Sequence, residues 1–317
     1  MTIAEITTEI LKAKSVLIFS HNRPDGDTVG SATALRLALL KKGISADIAC
    51  NNDIPEKLRY IKSTESYQKS VDKEKAYDAF IAVDCANEFM FPELYGKFSK
   101  GKVTFNIDHH VSNSRYAKFN YVEDASATCE LIFALINEMG VEIDSEIATS
   151  LLTGIVTDTG AFHHSNATDR TLLIASELKK AGADLHFIMK KNFRDQPKER
   201  AVLYGKVISK MRFYEDDKIG VLIITRDDIL SSGALDSMTE GFIDYPMSVE
   251  SVEVAFSLLE TGKNRYKISL RSKGKVNVNE IASIYGGGGH VLASGAVLNG
   301  FMEDIIDKLV FNVKQRL

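Results

Sequence analysis

The 317-residue sequence contains no run of 18 apolar residues, which excludes a conventional transmembrane helix and makes a membrane partner unexpected. The stretch Met1 to Lys14 mixes acids, threonines and lysines. It lacks a cationic start followed by an apolar core, so no secretory signal is expected. Cysteine is scarce: Cys50, Cys85 and Cys129 are widely spaced and odd in number. That excludes a disulfide framework and suits a reducing cytoplasm. No internal repeat occurs, and no low-complexity tract is longer than Gly286 to Gly289. An excess of positive charge is also missing. A net charge of −4 argues against a general nucleic-acid coat protein. No RRM, KH or zinc-knuckle signature is visible, so sequence-specific reading of extended RNA is unsupported.

What the chain does have is 44% hydrophobic and 26% charged residues, the balance of a soluble globular protein. Its length suits two domains. Positive charge is local: Lys190, Lys191, Arg194, Lys198, Arg200, Lys206, Lys210 and Arg212 form one group, and Arg271, Lys273 and Lys275 another. Such faces suit a confined anionic substrate, and equally a solvated surface.

Apolar, β-prone segments at Ser15 to Phe19, Ala46 to Ala49, Ala79 to Val83 and Val103 to Ile107 alternate with helical patterns. This predicts an α/β fold with a parallel sheet covered by helices on both faces. Thr28 or Ser31 is expected to cap a helix to about Lys42, and Ile54 to Ile61 a short helix. Ser126 to Met139, Ser145 to Val156 and Thr168 to Lys180 read as further helices. Gln196-Pro197 inside the basic run marks a joint. The expected domains are therefore 1–190 and 199–317, with a linker over 191–198. The second is a smaller α/β unit with strands at Ile219 to Thr225, Val252 to Leu258 and Tyr266 to Leu270. Its helices are expected at Ser237 to Tyr245, Asn277 to Tyr285 and Met302 to Val313.

The chemistry sits where apolar segments end. Asn106-Ile107-Asp108-His109-His110 follows one strand. His21, Asp25 and Asp27 follow another in an H-x-x-x-D-x-D pattern, Asp84 ends a third, and Asp158 follows a helical run. Open α/β sheets place ligands at the carboxyl ends of their strands. Each stretch alone also reads as a polar turn or a helix cap. Together, five carboxylates and three histidines repel one another unless cations neutralise them. Carboxylate and imidazole without thiolate suit Mn²⁺, Mg²⁺, Fe²⁺ or Zn²⁺. Two such ions roughly 3.5–4 Å apart stabilise in-line attack on phosphorus. Successive side chains of an extended segment diverge, so of His109 and His110 one is expected on metal and the other on substrate.

These motifs resemble the DHH phosphoesterase superfamily with its DHHA1-type second domain: H-N-R-P-D-G-D at 21–27, Asp84, D-H-H at 108–110, Asp158 in G-I-V-T-D-T-G, and G-G-G-H ending at His290. The resemblance implies a first metal on His21, Asp25 and Asp84. It implies a second on Asp27, Asp84, His109 and Asp158, with Asp84 bridging. Two Mn²⁺ are implied, with Mg²⁺ or another divalent cation as substitute. His110 then faces the scissile phosphate and Asp108 orients a histidine. His163 and His164 are either phosphate contacts or a surface turn.

In the second half, bare amides of Gly287, Gly288 and Gly289 and the imidazole of His290 are expected to hold a phosphate. Arg271 and Ser272, at a strand end, are expected to grip another. The resemblance implies that this turn faces the metals across a cleft between the domains. It is to the nanoRNase type, which degrades very short RNAs and dephosphorylates 3′-phosphoadenosine 5′-phosphate (pAp). A short oligonucleotide or nucleotide phosphate is thus the expected partner, a long duplex is not, and a homodimer is left open. Rivals are a linear or cyclic dinucleotide phosphodiesterase and a catalytically silent nucleotide sensor. A pyrophosphatase would need an S-R-K-K-like basic cluster that is missing.

Overall fold

The computed structural model describes residues 1–71 and 75–317. They form two compact units, Met1–Asp195 and Gln196–Leu317. Helix α1 (Ile3–Ile10) opens the first unit, closed by reciprocal hydrogen bonds between Thr2 and Glu5. The strands are β1 (Ser15–Phe19), β2 (Ser45–Ala49), β3 (Tyr67–Gln68), β4 (Ala79–Val83), β5 (Thr104–Asp108) and β6 (Phe119–Val122). Between and after them run α2 (Gly26–Lys41), α3 (Pro92–Phe98), α4 (Thr128–Glu138), α5 (Ser145–Asp158), α6 (Asp169–Lys180) and α7 (Leu185–Met189).

Among the described residues the sheet has six strands, all paired in parallel, in the order β3-β2-β1-β4-β5-β6. Alternation along β1 divides the core. Val16 and Ile18 join the cluster containing α1, α2, α4 and α5, and Leu17 and Phe19 join Phe91, Leu94 and Phe98 on the other face. Helices therefore cover both faces, as expected. From β1 the chain moves outward to β2 and β3, then crosses back to β4. That reversal opens a crevice at the carboxyl ends of β1, β4 and β5, where an open α/β sheet binds its ligand.

The second unit comprises α8 (Lys198–Ile208), β7 (Arg212–Tyr214), β8 (Ile219–Ile224), α9 (Arg226–Ser232), α10 (Asp244–Met247), β9 (Val254–Gly262), β10 (Arg265–Ser272), α11 (Val278–Ile284), β11 (Gly288–Gly289), β12 (Ala293–Asn299) and α12 (Met302–Lys314). Its mixed sheet runs β11-β12-β10-β9-β8-β7, with β8 and β9 the parallel pair. Helices α11 and α12 cover one face, and α8 and α9 cover part of the other. No helix among the described residues is long and apolar enough to cross a membrane.

Several elements differ from expectation. Helix α2 begins at Gly26, earlier than Thr28 or Ser31 implies, because Asp25 Oδ1 accepts from the amides of Asp27 and Thr28. Asp27 thus belongs to a helical first turn, not to a loop. Ile54 to Ile61 yields only a 3₁₀ turn, Glu56–Leu58, with no side-chain cap. So short a segment does not sustain a helix unaided. The helix expected over Ser237 to Tyr245 breaks at Glu240, whose ψ of 135° leaves the helical region. Asp158 is the last residue of α5 and not a turn-former after it.

Candidate metal centre

Six of the expected side chains meet at the carboxyl edge of the first sheet. His21 follows β1, Asp25 and Asp27 open α2, Asp84 follows β4, His109 follows β5, and Asp158 ends α5. His21 Nε2 lies 3.6 Å from Asp25 Oδ1 and 3.4 Å from Asp84 Oδ2. His109 Nε2 lies 3.3 Å from Asp158 Oδ2, 3.7 Å from Asp84 Oδ1 and 3.9 Å from Asp27 Oδ2. Three groups each bring their ligand atoms within 4.8 Å of one another: His21, Asp25 and Asp84; Asp27, His109 and Asp158; and Asp84, His109 and His110. Asp84 belongs to two of them.

Local structure aims these groups. Asp84 has φ +57°, a left-handed conformation costing a non-glycine residue roughly 1–2 kcal/mol. That turn swings its carboxylate off the strand axis. The Nδ1 of His21 lies 2.7 Å from the Asn22 carbonyl and that of His109 3.1 Å from the Ala125 carbonyl. Donation from Nδ1–H to a carbonyl leaves Nε2 with its lone pair facing the carboxylates, the arrangement of a metal-ligating histidine. Hard oxygens and imidazole nitrogens at this spacing fit a divalent cation.

The electrostatics point the same way. Burial, reinforced by Asp84, Asp158 and Asp25, pushes the Asp27 carboxyl well above its ordinary value. Burial, with Asp84 and Asp25, likewise pushes Asp158 up to about 8. Burial works to lower His21, but hydrogen bonding to Asp25 and Asp84 outweighs it and raises the imidazole to about 11. Without a cation, protons collect here to offset carboxylate repulsion, and a bound divalent ion would displace them.

His109 and His110 do not diverge. Strand β5 ends at Asp108, so both histidines lie beyond the extended segment, and their ring centroids are 4.6 Å apart. His110 Nδ1 sits 2.7 Å from Asp108 Oδ1, and that hydrogen bond raises the imidazole to about 9. Asn113 Nδ2 donates to the other Asp108 oxygen at 2.6 Å. His163 and His164 are exposed, with His164 Nδ1 3.3 Å from the Asp158 carbonyl.

Some contributors carry no sequence signal. Helix α4 lacks a capping side chain of its own, and Asp27 takes that place. The amides of Thr128 and Cys129 donate to Asp27 Oδ2 and Oδ1 at 2.6 and 2.9 Å, and the Thr128 hydroxyl donates to Asp84 Oδ1 at 3.0 Å. The positive end of α4 therefore faces the carboxylates.

In the second unit the expected phosphate contacts separate. Amides of Gly286, Gly287 and His290 already donate to the carbonyls of Ser283, Ala282 and Ala293. Gly288 and Gly289 pair with Gly295 and Ser294 in the sheet. The run is glycine for packing: a Cβ on Gly287 would lie 2.2 Å from the Gly295 carbonyl oxygen. The His290 imidazole is exposed, and β11 is the edge strand of the sheet. Arg271 and Ser272 lie within β10, and alternation sends them to opposite faces. Ser272 is buried, its Oγ accepting from the amides of Gly274 and Val276.

Comparison with known proteins agrees with this geometry. The family described as DHH family, N-terminal domain, matches residues 15–155, and the DHHA1 domain matches residues 216–317. The chain is 33% identical over 316 residues to the bifunctional oligoribonuclease and PAP phosphatase NrnA of Thermus thermophilus, covering 98% of this chain and 94% of that one. The chain belongs to the DHH family. This DHH protein is also 28% identical over 296 residues to the probable bifunctional oligoribonuclease and PAP phosphatase NrnA of Streptococcus mutans, covering 92% of each. An exopolyphosphatase-related protein from Bacteroides fragilis superposes with a TM-score of 0.89 at 27% identity, covering 99% of this chain and 96% of that one. DHH proteins are metal-dependent phosphoesterases, and this one is an enzyme of that class.

Proposed function

We propose that this DHH protein hydrolyses very short oligoribonucleotides to mononucleotides and converts pAp to AMP and phosphate, in the cytoplasm, with two Mn²⁺ ions. His21, Asp25 and Asp84 would hold the first ion, and Asp27, Asp84, His109 and Asp158 the second. The observation that carries this reading is Asp84, shared between groups of possible ligands and held in a left-handed turn. Relatives named as oligoribonuclease and PAP phosphatase over nearly the whole chain supply the substrate class. The catalytic domain would span 1–190 and the substrate domain 199–317, joined over 191–198.

Divalent ions bound there supply an acidified water and neutralise charge on the phosphoryl oxygens. The chain's own residues do the rest. His110, whose imidazole is raised by its hydrogen bond to Asp108, would present Nε2 as a proton donor to a phosphoryl or leaving oxygen. Asp108, fully buried and held by Asn113, fixes that ring. The α4 amides hold both oxygens of Asp27.

The test is a panel in Mn²⁺: pAp, a ribodinucleotide, a 24-mer, cyclic di-AMP and pyrophosphate. Turnover of pAp and the dinucleotide, slow action on the 24-mer and loss of all activity in Asp84→Ala are expected. Full activity in that variant would refute the site. Turnover of cyclic di-AMP alone would make the enzyme a dinucleotide phosphodiesterase, and binding without turnover would make it a sensor.

A further inference from the structure

Residues 125–129, which lead from β6 into the first turn of α4, reach all four side chains proposed for the second ion. The Ala125 carbonyl lies 3.1 Å from His109 Nδ1. The amides of Thr128 and Cys129 donate to the two oxygens of Asp27. The Thr128 hydroxyl donates to Asp84 Oδ1, the oxygen on the His109 side, whereas Asp84 Oδ2 faces His21. Asn166 completes the set: its Nδ2 donates to the Ser126 carbonyl at 3.1 Å and to the Asp158 carbonyl at 3.3 Å. The first ion's other candidates are oriented elsewhere, His21 by the Asn22 carbonyl and Asp25 by the opening turn of α2.

The helix cap does not fix this segment by itself. The residue before α4 is Ala127, which has no side-chain acceptor for an amide. Glu130, the third residue of α4, stands where the acid of a capping box reaches back to the cap amide. Its carboxylate instead takes the hydroxyl of Ser126 at 2.5 Å, and Arg170 Nε of α6 lies 3.6 Å from its other oxygen. Ser126 is thereby gripped at both ends, its hydroxyl by Glu130 and its carbonyl by Asn166. Glu130 is 1% exposed, on a helix whose other buried positions include Leu131, Ile132, Leu135 and Ile136. Burying a carboxylate is costly, and an apolar residue of similar volume serves stability at least as well. What a fully bonded polar network adds is one fixed geometry.

We propose that Glu130 is a positioning residue for the second ion. It touches none of the ligands. Through Ser126 it fixes the path of residues 125–129, and that path sets the carbonyl that orients His109, the amides that hold Asp27 and the hydroxyl that holds Asp84. Loss of such outer contacts lowers metal affinity by roughly 10- to 100-fold. The loss should fall on the second ion alone, because His21, Asp25 and the outer oxygen of Asp84 do not depend on this segment. The inference rests on the two-ion reading above and concerns its second half.

The test measures Mn²⁺ binding to the full chain without substrate, by calorimetry and by the EPR signal of free Mn²⁺. The unmodified chain is expected to take two ions. His21→Ala leaves the second ion alone, and adding Glu130→Ala should weaken it at least tenfold. Asp158→Ala leaves the first ion alone, and adding Glu130→Ala should not change its affinity. Glu130→Gln, which keeps a hydrogen-bonding group against Ser126, should restore the second ion to near its affinity in the unmodified chain. Circular dichroism in EDTA establishes that each variant is folded. Ser126→Ala, which cuts the same bond from its other end, takes the place of Glu130→Ala if that variant is not. Equal losses at both ions, no loss at the second, or a Gln variant as weak as the Ala variant overturns the proposal and leaves the two-ion reading standing. Fewer than two ions on the unmodified chain sinks that reading, and this proposal with it.

Discussion

Replacing Gly154 by alanine should disable the metal centre while leaving the fold in place. Gly154 lies in α5 where it crosses α2, and a Cβ there would stand 2.3 Å from Cys129 Sγ, 2.7 Å from Asp27 Oδ1 and 3.0 Å from Asp27 Cα. Ordinary contact begins near 3.4 Å. Asp27 must therefore retreat by about 0.7 Å and Cys129 by about 1 Å, since repulsion inside contact distance is steep. Such overpacking costs about 1–3 kcal/mol. The gain from replacing glycine within a helix, about 1 kcal/mol, offsets part of it. The net loss of stability is then about 0–2 kcal/mol, tolerable for a fold of this size. Catalysis is less forgiving, because a misplacement of about 1 Å at a reacting centre costs on the order of 100-fold. The assay is pAp hydrolysis titrated with Mn²⁺, alongside thermal unfolding in EDTA. A rate at least tenfold lower with a rightward Mn²⁺ midpoint and a melting temperature within a few degrees is expected. Gly205→Ala is the control: it lies in α8 with no atom within 4 Å of the added Cβ and should be neutral or slightly stabilising. Wild-type Mn²⁺ affinity and rate in Gly154→Ala would refute the geometry around Asp27.

Asp84→Gly should abolish hydrolysis of pAp in Mn²⁺, because it removes the one carboxylate shared between two groups of possible ligands. Metal-free stability should fall as pH rises from 5 to 8. Asp27, raised well above its ordinary value, and Asp158, raised to about 8, bind more protons folded than unfolded across that window, and so does His21, at about 11, above pH 6.5. Mn²⁺ should flatten the decline, and melts across that range with and without metal decide it. Because Cys50, Cys85 and Cys129 are fully buried, a thiol reagent should find no reactive group in the native protein and three after denaturation.

The first unit was legible because a parallel sheet gathers strand ends at one edge. His21, Asp84 and His109 each follow an apolar strand, so their convergence could be read before any distance was known. Asp158 was harder: it reaches the site from a helix, through the close crossing of α5 on α2 that Gly154 permits. Thr128 and Cys129 were not legible at all, since they act on Asp27 through backbone amides, which every residue type except proline possesses. The mutual approach of His109 and His110 carries no sequence signal, because β5 ends at Asp108 and the alternation of an extended segment does not govern the two residues beyond it.

The second unit shows a different limit. Adjacent letters such as Arg271-Ser272, or four glycines and a histidine, look like one recognition element on the page. In a strand, neighbours face opposite ways, so the Arg271 and Ser272 side chains leave β10 on opposite faces. Period two instead places Lys267, Ser269 and Arg271 on one face of β10, with Ser257 and Leu259 opposite them on β9. Glycine conceals its purpose further, because the residue that lets a phosphate approach also lets a neighbouring strand approach. At Gly287 the strand occupies that space. Choosing between the two readings needs the ladder register, which a motif does not contain. Ser272→Ala therefore discriminates between the two readings. If the Ser272 hydroxyl serves the 272–276 turn, the variant melts lower and keeps its KM for pAp; if the hydroxyl is a substrate contact, KM rises with the melting temperature unchanged.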